Sequence, residues 1–288
     1  MEVCFHLGRL PAGIEASAIP HVLADSALAA EEAGCSWYSL ADHFLQLEMM
    51  GPIHEPVIEG YTTLGYLAAR TNTIELGLLV GGATYRHAGV LAKTVATLDV
   101  LSGGRSRLGL GAAWYEREHV GLGVPFPSVR ERFELLDDVV GVCQQMWSDD
   151  DGPFHGRHLH LAETVCSPRP VRRPPLIIGG DGERRTLLAV ARHADACNVG
   201  AAPLDQLAHK LRVLDGHCEA VGRDPASVRR TVISSDDPFA DLDGFLRHME
   251  AAAALGVDEV AIVSMGDPVA LAEAIGAQLV EPLAQMGA

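Results

Sequence analysis

The chain has 288 residues, 48% of them hydrophobic and 21% charged, which is enough for a self-sufficient core and excludes global disorder. Lys and Arg number 22 against 38 Asp and Glu, a formal net charge of −16. Such a chain repels phosphate backbones and anionic bilayers, so neither a nucleic-acid nor a membrane partner is expected. No run approaches the ~20 apolar residues of a membrane span. The six Cys (Cys4, Cys35, Cys143, Cys166, Cys197, Cys218) form no CxxC pair and mostly sit in apolar runs. They read as small buried hydrophobes in a reducing compartment. Met1–Gly8 has neither a basic head nor a long apolar stretch, so a cytoplasmic location is expected.

In chain order, one pattern repeats: a short apolar run, a loop, an amphipathic helix. Glu2–Leu7 is the first predicted strand and Ala16–Ala33 the first helix, stopped by Gly34. Ser36–Ala41 is the next strand, Gly60–Arg70 a short helix, Thr73–Val80 a strand. Gly89–Ser102 places Leu91, Val95, Leu98 and Leu101 at helical spacing before Gly103 and Gly104. Arg105–Gly111 is the fourth strand, and the helix Val129–Trp147 aligns Phe133, Leu136, Val140, Cys143 and Trp147. Pro175–Gly179 with Gly182–His193, and Asp195–Val199 with Leu204–Val221, form the fifth and sixth units. Arg229–Ser234 with Asp241–Leu255, and Glu259–Val263 with Pro268–Leu283, form the seventh and eighth.

Eight strand–helix units in this length predict an α/β fold, a (β/α)8 TIM barrel. The strands are continuously apolar, as strands covered on both faces are. A doubly wound open sheet is the rival, but no strong dinucleotide fingerprint accompanies it. Residues 1–288 are read as a single domain, with long loops at about 112–128 and 149–173. The first lies at the barrel mouth, where barrel active sites are built; the second could climb to it, and Phe154–Leu161 reads as a small hairpin.

Candidate chemistry clusters at strand ends. Asp42 and His43 follow the second strand, and an imidazole there could exchange a proton with a bound ring. The Gly109–Trp114 segment allows close backbone approach, and Trp114 could pack on a flat ring. Gly179-Gly180-Asp181-Gly182 before a helix start suggests an anion site of backbone N–H groups, with Arg184 beside it. Arg169, Arg172, Arg173, Arg184 and Arg185 could form a basic patch for a polyanionic tail. Each of these also has a plain reading as a turn, a bend or a solvated face. His155, His158 and His160 lack a carboxylate or Cys at ligand spacing, so no metal is expected. No Gly-x-Ser-x-Gly elbow, P-loop or HExxH helix is present.

At these residues the chain resembles the luciferase-like monooxygenase superfamily, especially its deazaflavin (coenzyme F420)-dependent oxidoreductases. The matching stretches are AEEAG (30–34), ADH (41–43), YTTLGYLAARTNTIELGLLV (61–80), TYRHAGVLAKTVATLDVLSGGRSRLGLGAAW (84–114), RERFELLDDV (130–139), PLIIGGDGERRTLLAVARHADACN (175–198) and LGVDEVAIV (255–263). The resemblance implies a cofactor ring in the barrel mouth and a ribityl phosphate at the Gly179–Arg184 turn. His43 would lie beside the ring, and Asp42 would orient His43 or touch the ring. Gly111, Ala112 and Trp114 would line the ring or its side chain, with Asn198 reaching the same cavity. A non-proline cis peptide after strand three, at Leu79-Val80 or a neighbour, would back the ring. Ala113 stands where Gly is typical, Tyr115 where His is, Ala83 where Asn is frequent, and Ala88-Gly89 where Pro-Ala is. The implied activity is hydride transfer between F420 and a small organic substrate, in a homodimer. An FMN-dependent monooxygenase and a non-catalytic flavin-binding protein are the alternatives.

Overall fold

Eight strands close on themselves, all parallel. In the computed structural model, which describes residues 1–286, the wall runs β3 (Glu75–Leu78), β2 (Trp37–Leu40), β1 (Glu2–Leu7), β11 (Glu259–Ser264), β10 (Arg229–Ser234), β9 (Ala196–Gly200), β8 (Leu176–Gly179), β5 (Ser106–Gly111). β3 then pairs back onto β5, with Leu76 opposite Ser106, and the cylinder is shut. A two-residue strand, β4 (Gly81–Gly82), extends the wall beyond β3 and pairs with Leu110 and Gly111. The Leu79–Val80 peptide between them is cis.

Outside the wall lie α1 (Ile19–Glu32), α2 (Gly60–Ala68), α3 (Ala88–Ser102), α5 (Val129–Met146), α6 (Thr186–His193), α7 (Leu204–Ala220), α8 (Leu242–Ala254) and α9 (Pro268–Gln278). α4 (Glu116–Leu122) sits in the β5–α5 connection, and α10 (Val280–Ala284) follows α9. The starts are chemically marked. Ser128 and Glu131 form a reciprocal capping box on α5, and Asp241 and Asp267 cap α8 and α9. α1 begins at Ile19 rather than Ala16, with Pro20 in its first turn, where the missing N–H costs nothing.

The main core lies between wall and helices; a smaller one fills the barrel itself, with Cys4, Trp37, Leu79, Ile177, Ala196 and Ala261. Trp37 is its largest piece. Its Nε1 donates to Glu259 Oε1 at 2.7 Å, and the Arg107 guanidinium lies 4.7 Å over its ring. Arg107 also meets Glu75 and Glu259. This cluster floors the N-terminal end of the barrel, and the two cavities that hold the candidate chemistry open at the C-terminal ends of the strands.

Two expectations about loops change. Residues 149–173 line neither of the cavities at the mouth. β6 (Phe154–His155) and β7 (His160–Leu161) form the predicted hairpin, and the Asp138 carboxylate on α5 accepts from the backbone N–H groups of Arg157, His158 and Leu159. That pins the excursion along the outside of α5. His155 faces His160 across the hairpin, while His158 bonds Glu134. The second change concerns the β2–α2 connection, residues 41–59, a further long loop that the strand–helix pattern did not flag and that lines a cavity at the mouth.

Candidate active site

Two cavities open side by side at the mouth. One, of about 380 Å³, is lined by Asp42, His43, Leu79, Val80, Gly111, Ala112, Trp114, Gly179, Gly180 and Asn198 among others. The other, of about 420 Å³, lies under the 41–59 loop. His43, Ala41 and Ile233 line both, so the imidazole stands at their junction.

The side chains that form this mouth follow strand alternation. His6, Leu79, Gly111, Gly179, Asn198, Ile233 and Val263 are inward positions near the upper ends of their strands. Val80 packs among the glycines: a methyl group on Gly179 would sit 2.9 Å from Val80 Cγ1, and one on Gly111 3.1 Å from Val80 Cγ2. Those glycines let the Val80 side chain back the cavity wall. Ala113 adopts φ +57°, the left-handed conformation that glycine takes without strain.

His43 is held by a residue that sequence reasoning did not single out. Its Nδ1 lies 3.1 Å from Oε2 of Glu118, in α4. Glu118 is fully buried, and its other oxygen accepts from the backbone N–H groups of Phe44 at 2.5 Å and Leu45 at 2.7 Å. The Tyr85 hydroxyl donates to Oε2 at 2.5 Å. Burial alone raises a carboxyl pKa, but these donors outweigh it and hold Glu118 below the usual carboxylate range. An ionised carboxylate only accepts, so it fixes the proton on His43 Nδ1 and leaves Nε2 for chemistry. Trp114 stands edge-on to His43 at 5.7 Å, and is half-exposed at the rim.

Asp42 does not orient His43. Both its oxygens accept from Arg86, at 2.7 and 2.8 Å, and Oδ2 also takes the Gly82 N–H at 3.1 Å. Arg86 is shared with Glu59 and lies 4.8 Å over the Tyr61 ring. Asp42 is therefore a neutralised brace between β2 and β4, at the edge of the cavity.

The glycine-rich turn also departs from expectation. α6 begins at Thr186, four residues after Gly182, because Glu183–Arg185 form a separate turn. Gly179, Gly180 and Thr186 line the smaller cavity; Asp181, Gly182 and Arg184 point to solvent outside it. Asp181 accepts from Lys210 Nζ at 2.5 Å and from the Gly200 N–H at 3.1 Å. Asn198 lines the cavity while its Nδ2 donates to Thr231 Oγ1 at 2.8 Å. The five-arginine patch does not assemble. Arg169 pairs with Asp149 and Asp151, Arg172 with Glu75, and Arg173 with Asp195, all away from the mouth.

The cation in the smaller cavity is instead Arg132 on α5, 7% exposed. Its Nη1 donates to the Ala113 carbonyl at 2.7 Å, its guanidinium lies 4.1 Å over Phe126, and its buried Nε has no partner. Burial lowers its pKa. Arg132 stands inside the RERF stretch, so its residue type was visible, but not its inward direction. Among the described residues no group of His, Cys, Asp and Glu is placed to hold a metal, and no helix is long and apolar enough to cross a membrane.

A closed barrel whose mouth holds an imidazole between two cavities has the layout of a small-molecule enzyme. The family can be stated more closely. Residues 3–238 match the luciferase-like monooxygenase family. The chain belongs to that family and is one of its oxidoreductases. It is 32% identical over 233 residues to an F420-dependent glucose-6-phosphate dehydrogenase of Kineococcus radiotolerans, covering 79% of this chain and 68% of that one. It is 34% identical over 171 residues to the enzyme of the same name from Microbacterium testaceum, of which it spans 50%. The fold superposes on an F420-dependent secondary alcohol dehydrogenase, solved with an F420-acetone adduct, with a TM-score of 0.82, 16% identity and 98% of each chain covered.

Proposed function

We propose that this protein is a coenzyme F420-dependent oxidoreductase that exchanges a hydride with a carbon of a small organic substrate, with His43 handling the accompanying proton. The observation that carries the reading is the junction itself: His43, its Nδ1 held by buried Glu118, faces a cavity on either side. That the glucose-6-phosphate dehydrogenases named above are F420-dependent supports the choice of cofactor.

The residues present fit such a group. Arg132 brings its guanidinium charge to the cavity for an anionic portion, beside Gly179, Gly180 and Thr186. Val80, Gly111, Ala112 and Trp114 supply apolar surface for a flat ring. The bound deazaflavin supplies hydride chemistry; the chain supplies position and proton. His43 Nε2 gives or takes that proton at the substrate oxygen while Glu118 steadies the charge on the ring.

The test is a titration with F420 and with FMN, followed by turnover on a panel of carbonyls and alcohols. Tight F420 binding with turnover is expected. His43→Ala should cut turnover at least ~100-fold and change cofactor affinity less than about threefold. Tight FMN binding without F420 binding would select the monooxygenase alternative. Bound cofactor without turnover on any substrate would select a non-catalytic role.

A further inference from the structure

The second cavity differs chemically from the first. It is walled by Leu10, Leu47, Met50, Ile58, Val263 and Met265, and among the described residues no carboxylate lines it, in a chain of net charge −16. Its few polar groups are His6, Arg9, Gln46, Ser235 and the shared His43. His6 is buried, and its Nδ1 bonds Ser39 Oγ at 2.9 Å. Burial, with His43 nearby, lowers its pKa to about 4, so it enters as a neutral imidazole. Gln46 turns its Oε1 back to the Leu47 N–H.

Arg9 is the exception in this apolar room. It follows β1, and its Nη1 donates to the Met50 carbonyl at 2.7 Å. Its Nε is buried without a partner, and no carboxylate pairs with it among the described residues. Arg86 and Arg107, by contrast, each hold two carboxylates. A lone guanidinium in an apolar cavity is matched by one anion on an otherwise apolar molecule. A sugar phosphate would satisfy the charge but bury several hydroxyls in a cavity walled mainly by methionine, leucine, isoleucine and valine, with few polar groups to bond them.

We infer that the cavity under the 41–59 loop takes an apolar organic acid, its carboxylate on Arg9 and its reacting carbon beside His43. This deepens the proposed function and rests on it for the position of the reacting carbon. The test therefore uses cofactor-free protein. Calorimetry with octanoate, 1-octanol and glucose 6-phosphate separates charge from apolar fit. Octanoate should bind at least tenfold more tightly than 1-octanol, and glucose 6-phosphate more weakly than octanoate. Arg9→Gln should abolish the octanoate advantage and leave 1-octanol affinity within twofold, while Arg9→Lys retains part of the advantage. Octanoate no tighter than 1-octanol, tighter glucose 6-phosphate, wild-type octanoate binding by Arg9→Gln, or equal loss of both ligands would each overturn the assignment. Failure of the F420 reading would show separately, as absent F420 binding with these affinities intact.

Discussion

Replacing Glu118 by Gln tests the proton-handling arrangement without changing side-chain size. Glu118 receives four hydrogen bonds, from His43, Tyr85 and the Phe44 and Leu45 backbones. An amide has one acceptor oxygen and one donor nitrogen. The two backbone N–H groups converge on a single oxygen, so the Gln carbonyl takes that place. Its NH2 then faces His43 Nδ1, which must accept instead of donate. The His43 proton moves to Nε2, and the ring no longer presents a base to the substrate. A wrong-tautomer imidazole of this kind costs about 10²–10⁴ in turnover. Weakening charge-assisted bonds to the 43–45 segment costs about 1.5–3 kcal/mol of stability, a melting shift of several degrees. Turnover is followed by cofactor absorbance, and the tautomer by the ¹⁵N shifts of the His43 ring. Turnover within threefold of wild type, with a proton still on Nδ1, would refute the reasoning.

Arg132→Met removes the unpaired cation from the smaller cavity. A charged hydrogen bond of about 1.5–3 kcal/mol corresponds to a ~10–100-fold loss of F420 affinity, read by titration, with turnover at saturating cofactor within threefold. Unchanged affinity would remove Arg132 from the binding site. His6 carries a pH signature. Its folded pKa is about 4 against an ordinary value of 6.5. The folded state thus resists protonation, and the stability this represents is present above pH 6.5 and lost as pH falls toward 4. The full span is about 3 kcal/mol. His6→Gln should flatten the urea stability profile by that amount over this window; an unchanged slope would show that His6 is not the titrating group.

The barrel was legible because strands covered on both faces are continuously apolar and each helix repeats its apolar residues at helical spacing. Leu176–Gly179 and Ala88–Ser102 lie within a residue of their predicted bounds. What escaped were elements without such a pattern. β4 is two glycines, placed by pairing with β5 rather than by side chains. α4 has seven residues, too few for a period to declare itself. The α6 start moved because Glu183–Arg185 form a separate turn after Gly182.

The site shows the same division more sharply. Asp42 and His43 are adjacent, which suggests one coupled pair, yet consecutive residues at a strand end face opposite ways. Asp42 turns toward Arg86, 44 residues on, and His43 toward Glu118, 75 residues on. Each partnership is made by the closure of the barrel, and no local spacing encodes it. The two carboxylates consequently do different work. A bidentate guanidinium neutralises Asp42 and turns it into a brace, whereas the donors on Glu118 include the imidazole that faces both cavities. Of the acids at the mouth, then, the one placed to govern a proton is the one that holds the imidazole, and that is Glu118.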